Sequence, residues 1–484
     1  MLFNSLDFVI FFPIMFALYW VCSKNLKLRN IYILVASYVF YGWWDWRFLF
    51  LIVISSIVDY YVGKRLGTEE KPKTRKLLLY LSLLVNLGFL VYFKYFNFFI
   101  ESFVDAFSLF GQKLEISTLN IILPVGISFY TFQTLSYTID IYKKKFKPTQ
   151  DIVAFFAYVA FFPQLVAGPI ERASHLLPQF SKLYKFDYKL VKSGLQLMLW
   201  GFFKKVVIAD RLALLVNEVY NNPGEHTGTS LIIATLFFTF QIYCDFSGYS
   251  DIAIGLARTM GFDLMKNFDS PYFSKSITEF WRRWHISLST WFRDYVYIPL
   301  GGSKKGKYRT YLNLFLVFFI SGLWHGAAMT FVIWGAIHGI IIVLEKATAK
   351  SRGKVYKYIG LDKDVFSNRI IFGTITFCIV VFAWIFFRAN TFADSKYIIS
   401  NLFNFSGTTD FSELGLSLFN FNLSIVLVFI LFLLEYVDKA INLNKTFNTQ
   451  NRLFRWSIYL GSVLLILLYG VYGSDAPEFL YFQF

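Results

Sequence analysis

The chain has 484 residues, of which 56% are hydrophobic, 21% aromatic and only 16% charged, with a formal net charge of +16. An ordinary soluble domain carries about 25% charged residues, and a soluble core cannot absorb 59 Phe and 31 Tyr. The composition argues against a soluble enzyme, and the basic excess is that of cytoplasmic loops rather than of a nucleic-acid site, so no nucleic-acid partner is expected.

Taken in chain order, apolar runs mark the first membrane spans at Phe8–Cys22, Ile31–Trp44, Phe48–Val62 and Leu77–Phe96. Runs of roughly 17 to 22 residues suit a hydrocarbon core of about 30 Å. No small-x-small cleavage site follows the first run and further spans come at once, so it is read as a retained span and not a signal peptide. Basic clusters alternate between the links. Lys24, Lys27 and Arg29 follow the first span, Lys64 to Lys76 the third, and Lys143 to Lys147 come later, whereas Glu101 and Asp105 follow the fourth. That alternation places the basic links inside and the N-terminus outside, and it loses clarity after about residue 150.

Ile122–Tyr137 and Ala154–Pro169 then carry Pro124, Gly126, Pro163, Gly168 and Pro169 among apolar residues. Broken backbone at membrane depth is tolerated only inside protein or beside a watery cavity, so short, broken or re-entrant helices packed within ordinary spans are expected. A span at Ser230–Cys244 leads into Gln241–Asp251, where Asp245, Ser247, Tyr249, Ser250 and Asp251 interrupt the apolar run. Buried carboxylates need partners, and Arg258 or Arg282 are available. The stretch is either an internal polar network or the lining of a polar tunnel.

Ser276-Ile277-Thr278-Glu279 has the form of a capping box, and Trp281, Trp284, Leu288, Trp291 and Tyr295 recur at helical spacing after it. The expected helix has an aromatic stripe opposite Arg282, Arg283 and Arg293, which suits a membrane–water boundary. His285 falls at the edge of that stripe. With Arg282 and Arg283 it is a candidate for binding an anionic, phosphate-bearing donor, the alternative being a satisfied histidine in an amphipathic helix.

His325, in Leu323-Trp324-His325-Gly326, lies about sixteen residues beyond Arg309, or roughly 24 Å into the apolar stretch at 1.5 Å per residue. An ionisable side chain at that depth is costly to place and points to chemistry or transport. Thr310–Leu344 is read as a hairpin that returns to a basic loop, Lys346–Lys357. Gly322 and Gly326 are expected to leave room for a substrate, and His338, with ordinary neighbours, is read as structural. Further spans are expected at Ile370–Phe387, Ile425–Glu435 and Ile458–Val471. Cys22, Cys244 and Cys378 lie in or beside apolar runs with no ligand spacing, so neither a disulfide framework nor a metal site is expected. No internal repeat and no linker is evident, and residues 1–484 are read as one domain.

Gln241–Asp251, Ser270-Pro271-Tyr272-Phe273, Phe280–Trp291, Tyr297–Gly302, Gly322–Gly326 and the closing Glu478–Phe484 together resemble the membrane-bound O-acyltransferase family. Within it they are similar to the branch of alginate and cell-wall O-acetyltransferases. The resemblance implies an all-α integral membrane protein of about 11 or more transmembrane helices, with short re-entrant and interfacial helices around a central tunnel. It implies a bacterial cell-membrane O-acetyltransferase moving acetyl from cytoplasmic acetyl-CoA towards hydroxyls of an extracytoplasmic polysaccharide, with a separate extracytoplasmic transferase as partner and no bound cofactor. Its catalytic histidines would be His325 and His285. Arg282, Arg283, Trp324, Asp245, Ser247 and Asp251 are candidates for donor binding or tunnel lining. D-alanyl transfer to teichoic acid from a carrier protein, long-chain acylation of a lipid or protein, and a transporter with a histidine proton relay are the alternatives.

Overall fold

A computed structural model describes residues 1–108, 119, 121–166, 168–361, 365–405, 414–473, 477 and 479–480. Ala167 of the irregular stretch, and Glu478 and Tyr481, Phe482, Gln483 and Phe484 of the closing motif, lie outside the described residues. The described residues are helical, with no strand among them, and their contacts divide the chain into two compact units.

The first unit, residues 1–198 with 250–265, opens with α1 (Leu6–Cys22), α2 (Leu26–Asp45), α3 (Leu49–Thr68) and α4 (Pro72–Leu90). It continues with α5 (Phe96–Ser108), α6 (Ile127–Tyr142), α7 (Ile152–Val159), α8 (Phe162–Leu165), α9 (Ala173–Leu176) and most of α10 (Tyr188–Phe202). Side chains cap the early helices where the chain turns: Ser5 accepts from Phe8 N and Asn25 from Leu28 N, satisfying donors that a helix start leaves open.

The irregular stretch behaves differently in its two halves. Gly126, at φ 75°, supplies the left-handed turn that starts α6, and its carbonyl neighbour Leu165 O would meet an added Cβ at 2.7 Å. From there α6 runs unbroken for 16 residues, so the expected break is confined to its entry, and nearly all its side chains are buried. The second half is broken as expected, into α7 and the one-turn α8, with Pro163 in the first turn. Polar side chains fasten α3, α4 and α6 together: Asp59 accepts from Ser82 Oγ, from Asn86 Nδ2 at 2.8 Å and from Thr138 Oγ1 at 2.9 Å.

The second unit, residues 199–249 with 266–484, contains α11 (Asp210–Asn221), the first two-thirds of α12 (Thr229–Thr259), α13 (Ile277–Arg283) and α14 (Ile286–Phe292). Next come α15 (Lys307–His325), α16 (Met329–Tyr358), α17 (Phe366–Arg388), α18 (Phe392–Asn401), α19 (Leu418–Ile441), α20 (Leu443–Thr449) and α21 (Arg452–Tyr469). The expected hairpin is present as α15 and α16, closely packed. Its packing also corrects the reading of the glycines. A Cβ on Gly322 would meet Phe331 O at 2.3 Å, and one on Gly326 would meet the Phe331 ring at 2.1 Å. Both positions are small because α16 fills the space, not because they leave room for a substrate.

Among the described residues, seven helical stretches are long and apolar enough to cross a membrane: Leu26–Thr68, Pro72–Val104, Thr229–Thr259, Met329–Tyr358, Phe366–Arg388, Leu418–Ile441 and Arg452–Tyr469. The first of these holds both α2 and α3, of 20 residues each. Leu6–Cys22 and Ile152–Leu165 are apolar but shorter. Every span expected from the apolar runs coincides with one of these helices.

Candidate active site

The helix expected from Ser276 to Tyr295 is two helices. Ser276 Oγ accepts from Glu279 N at 3.1 Å as a cap should, but the Glu279 carboxylate accepts from Lys275 N at 2.9 Å, one residue beyond the position the reciprocal box requires. Glu345, from α16, supplies a second cap, accepting Ile277 N at 2.8 Å and Thr278 N at 3.0 Å. Its charge suits the positive end of the helix. After about two turns the chain leaves the helix at Trp284 and passes through His285 in the left-handed region, φ 43° and ψ 55°. This break overturns the placement of His285 at the edge of a continuous stripe. The stripe itself survives, because Trp281, Trp284, Leu288 and Trp291 are buried on either side of the break while Arg282 and Arg293 face outward.

The strained conformation at His285 is held by Asn267. Ile286 N donates to Asn267 O at 2.9 Å, and Asn267 Oδ1 accepts Ser287 N at 3.3 Å and Ser287 Oγ at 2.9 Å. A backbone N–H can only donate, so the atom it meets is the amide oxygen, and His285 Nδ1, 3.1 Å from that oxygen, must be the protonated ring nitrogen. The lone pair is therefore on Nε2. Burial pushes the imidazolium down to about 3, so the ring is neutral at physiological pH. Phe246 of α12 stands edge-on to it at 4.6 Å, and Trp324 lies at 6.2 Å on another side.

His325 is the last residue of α15, about 27 Å along the helix from Lys307 at 1.5 Å per residue. Its ring is 3% exposed and packs against Trp324 at 4.9 Å, Trp334 at 5.0 Å and Phe387 at 5.3 Å. Trp324 is thus shared by both histidines, and the two sites singled out in the sequence form one cluster in the second unit. Close aromatic walls therefore surround the His325 ring on several sides.

The other candidates fall into three places. Arg283 is spent on an ion pair with Glu279 at 2.7 Å, while Arg282 is exposed. Asp245 is fully buried, and its partner is neither Arg258 nor Arg282. Lys205 Nζ lies 2.6 Å from both Asp245 Oδ1 and Asp210 Oδ1, and Leu480 N donates to Asp245 Oδ2 at 2.9 Å. Ser247 accepts from Lys204 Nζ at 2.9 Å. Asp245 and Ser247 therefore anchor two buried lysines beside Phe246, the residue that backs His285. Asp251 belongs to the first unit and is half-buried.

Sequence reasoning missed Asn267, Lys204, Lys205 and Glu345. The two lysines carried a signal, since they interrupt the apolar run Leu197–Ala209. Asn267 carried none, standing 18 residues from the ring it orients.

Comparison with known proteins gives the family of the chain. The family model for the membrane-bound O-acyltransferase family matches residues 31–387. The chain belongs to that family. It is a membrane acyltransferase, and the matched span contains both histidines. A probable alginate O-acetylase of Pseudomonas syringae pv. tomato is 42% identical over 423 residues, covering 86% of this chain and 77% of that protein. A peptidoglycan O-acetyltransferase of Helicobacter pylori is 33% identical over 439 residues, covering 84% and 81%. A teichoic acid D-alanyltransferase of Bacillus subtilis is 30% identical over 285 residues, covering 56% of this chain and 70% of that relative.

Proposed function

We propose that this acyltransferase moves an acetyl group from cytoplasmic acetyl-CoA to a hydroxyl destined for an extracytoplasmic polysaccharide, with a separate extracytoplasmic transferase completing delivery. The observation that carries the reading is the paired cluster: two buried histidines sharing Trp324, one of them at the end of a helix that begins beside the basic stretch Lys304–Arg309. Lys304, Lys305, Lys307 and Arg309, with exposed Arg282, suit the phosphates of CoA. The proposed site of this enzyme is the bacterial cytoplasmic membrane.

In the reaction, His325 takes the proton of the acceptor hydroxyl as its oxygen attacks the thioester carbonyl. The carbon–sulfur bond breaks, the ester forms, and the CoA thiolate leaves and is protonated by the imidazolium. General-base assistance of this kind contributes about 10²–10⁴ in rate. His285 Nε2, aimed by Asn267, is the second functional nitrogen. Both rings are walled by aromatic side chains, so reaching them requires those walls to part around donor and acceptor, and closing them again keeps water from the thioester.

Identity to the alginate and peptidoglycan O-acetyltransferases runs over more of the chain than identity to the D-alanyltransferase, which favours acetyl over D-alanyl transfer. The test is thiol release by the purified full-length protein, given acetyl-CoA or a D-alanyl carrier protein as donor. Release from acetyl-CoA alone supports the proposal. Release from the charged carrier alone overturns it.

A further inference from the structure

His338 touches both halves of the histidine cluster, and no step of the acyl transfer employs it. It is wholly buried on α16. Trp281 Nε1 donates to His338 Nδ1 at 3.3 Å, and the two rings meet edge-on at 5.1 Å. Trp281 stands four residues before His285, on the short helix that delivers the chain to it. On its other side His338 packs at 5.0 Å against Trp334, one turn earlier on α16, and Trp334 in turn meets His325 edge-on at 5.0 Å. Seven residues further along α16, on the same face, Glu345 caps the start of α13. One helix therefore grips α13 at two points about 10 Å apart at 1.5 Å per residue.

We infer that His338 is a positioning residue for the acyl transfer: its Nδ1 lone pair fixes Trp281, its ring fixes Trp334, and one side chain sets the placement of both His285 and His325. The role needs a neutral ring with its proton on Nε2, because a protonated Nδ1 cannot accept from an indole N–H. A histidine that merely fills space is replaceable by any ring of similar size, whereas a positioning histidine is replaceable only by a residue that keeps the acceptor. This inference rests on the proposed roles of His325 and His285.

The experiment compares thioester cleavage by purified His338→Phe, His338→Asn and Trp281→Phe proteins with that of His325→Ala and His285→Ala. Phe keeps the ring and loses the acceptor; Asn places an amide oxygen near the position of Nδ1. Losing one neutral hydrogen bond predicts a fall in kcat of about 3- to 10-fold for His338→Phe, with KM for the donor unchanged. His338→Asn should stay within about 2-fold of wild type. Trp281→Phe should match His338→Phe, and the double variant should be no slower than either single one, since both remove the same contact. If His338→Phe does not accumulate, the Asn variant and Trp281→Phe still decide the matter. Wild-type kcat in Trp281→Phe, an Asn variant no better than Phe, or additive losses would overturn the inference. Loss of turnover in His325→Ala and His285→Ala alongside any of these results would leave the acyl-transfer reading standing. Retained turnover in those two variants would remove that reading, and this inference with it.

Discussion

Replacing Asn267 by alanine probes how the site fixes the His285 ring. The amide oxygen takes hydrogen bonds from His285 Nδ1 at 3.1 Å, Ser287 N at 3.3 Å and Ser287 Oγ at 2.9 Å. Each contributes about 0.5–1.5 kcal/mol net, so the three together amount to roughly 2–4 kcal/mol, most of it a stability term. The share borne by the ring is one bond, about 1 kcal/mol, or roughly fivefold in rate. Without the acceptor neither tautomer is favoured and the ring is free to turn, and a shift of about 1 Å costs on the order of 10²-fold. Acyl transfer should therefore fall between about 5- and 100-fold, with a lower melting temperature in detergent. Ser287→Ala removes only the hydroxyl donor and should remain within about 2-fold of wild type. Initial rates of thiol release from acetyl-CoA by purified protein give the answer. Wild-type turnover in Asn267→Ala, or equal damage from Ser287→Ala, would refute the tautomer argument.

Lys205→Met leaves Asp210 and Asp245 as buried carboxylates without their shared cation, at a cost of about 3–5 kcal/mol. The variant should fail to accumulate as monodisperse protein in size-exclusion profiles, and adding Asp210→Asn and Asp245→Asn should restore part of the yield; normal yield for Lys205→Met alone would contradict the pairing. Gly322→Ala drives a methyl to 2.3 Å from Phe331 O, a backbone atom. The hairpin must open by about 1 Å at the level of His325, so turnover should drop by about 10²-fold in protein that still inserts, and unimpaired turnover would show the hairpin to be compliant. His175, partly exposed beside buried Glu171 at 2.7 Å, has its pKa raised, first by the hydrogen bond to Glu171. A raised folded value means the stabilisation is complete below the unfolded value of about 6.5 and is lost as pH rises through the folded one. The melting temperature should fall above neutrality in wild type and change less in His175→Gln; the opposite slope would refute the pairing.

Much of this architecture is written in residue order because the bilayer imposes a length and a polarity on every span. α1 to α4, α12, α17, α19 and α21 follow directly from their apolar runs, and the α15–α16 hairpin follows from the basic segments at its two ends. His325 stood out for the same reason: few ionisable groups sit that deep. The break at Trp284–His285 was hidden because Trp281, Trp284, Leu288 and Trp291 are buried on both sides of it, so the helical rhythm continues through a residue that is not helical. Long-range polar partners were hidden too. Asp245 could have met any of several cations, and only folding selects Lys205. Gly322 and Gly326 were legible as small residues but not as contacts of Phe331, since a sequence shows that bulk is absent without showing what takes its place.

The most direct measurement of the central claim is thioester cleavage by His325→Ala protein purified from membranes at wild-type yield. In the proposed mechanism the imidazole removes the hydroxyl proton, so the variant should release thiol from acetyl-CoA at least about 10²-fold more slowly in the presence of acceptor, with an unchanged elution profile. A well-folded His325→Ala protein turning over like wild type would contradict the account.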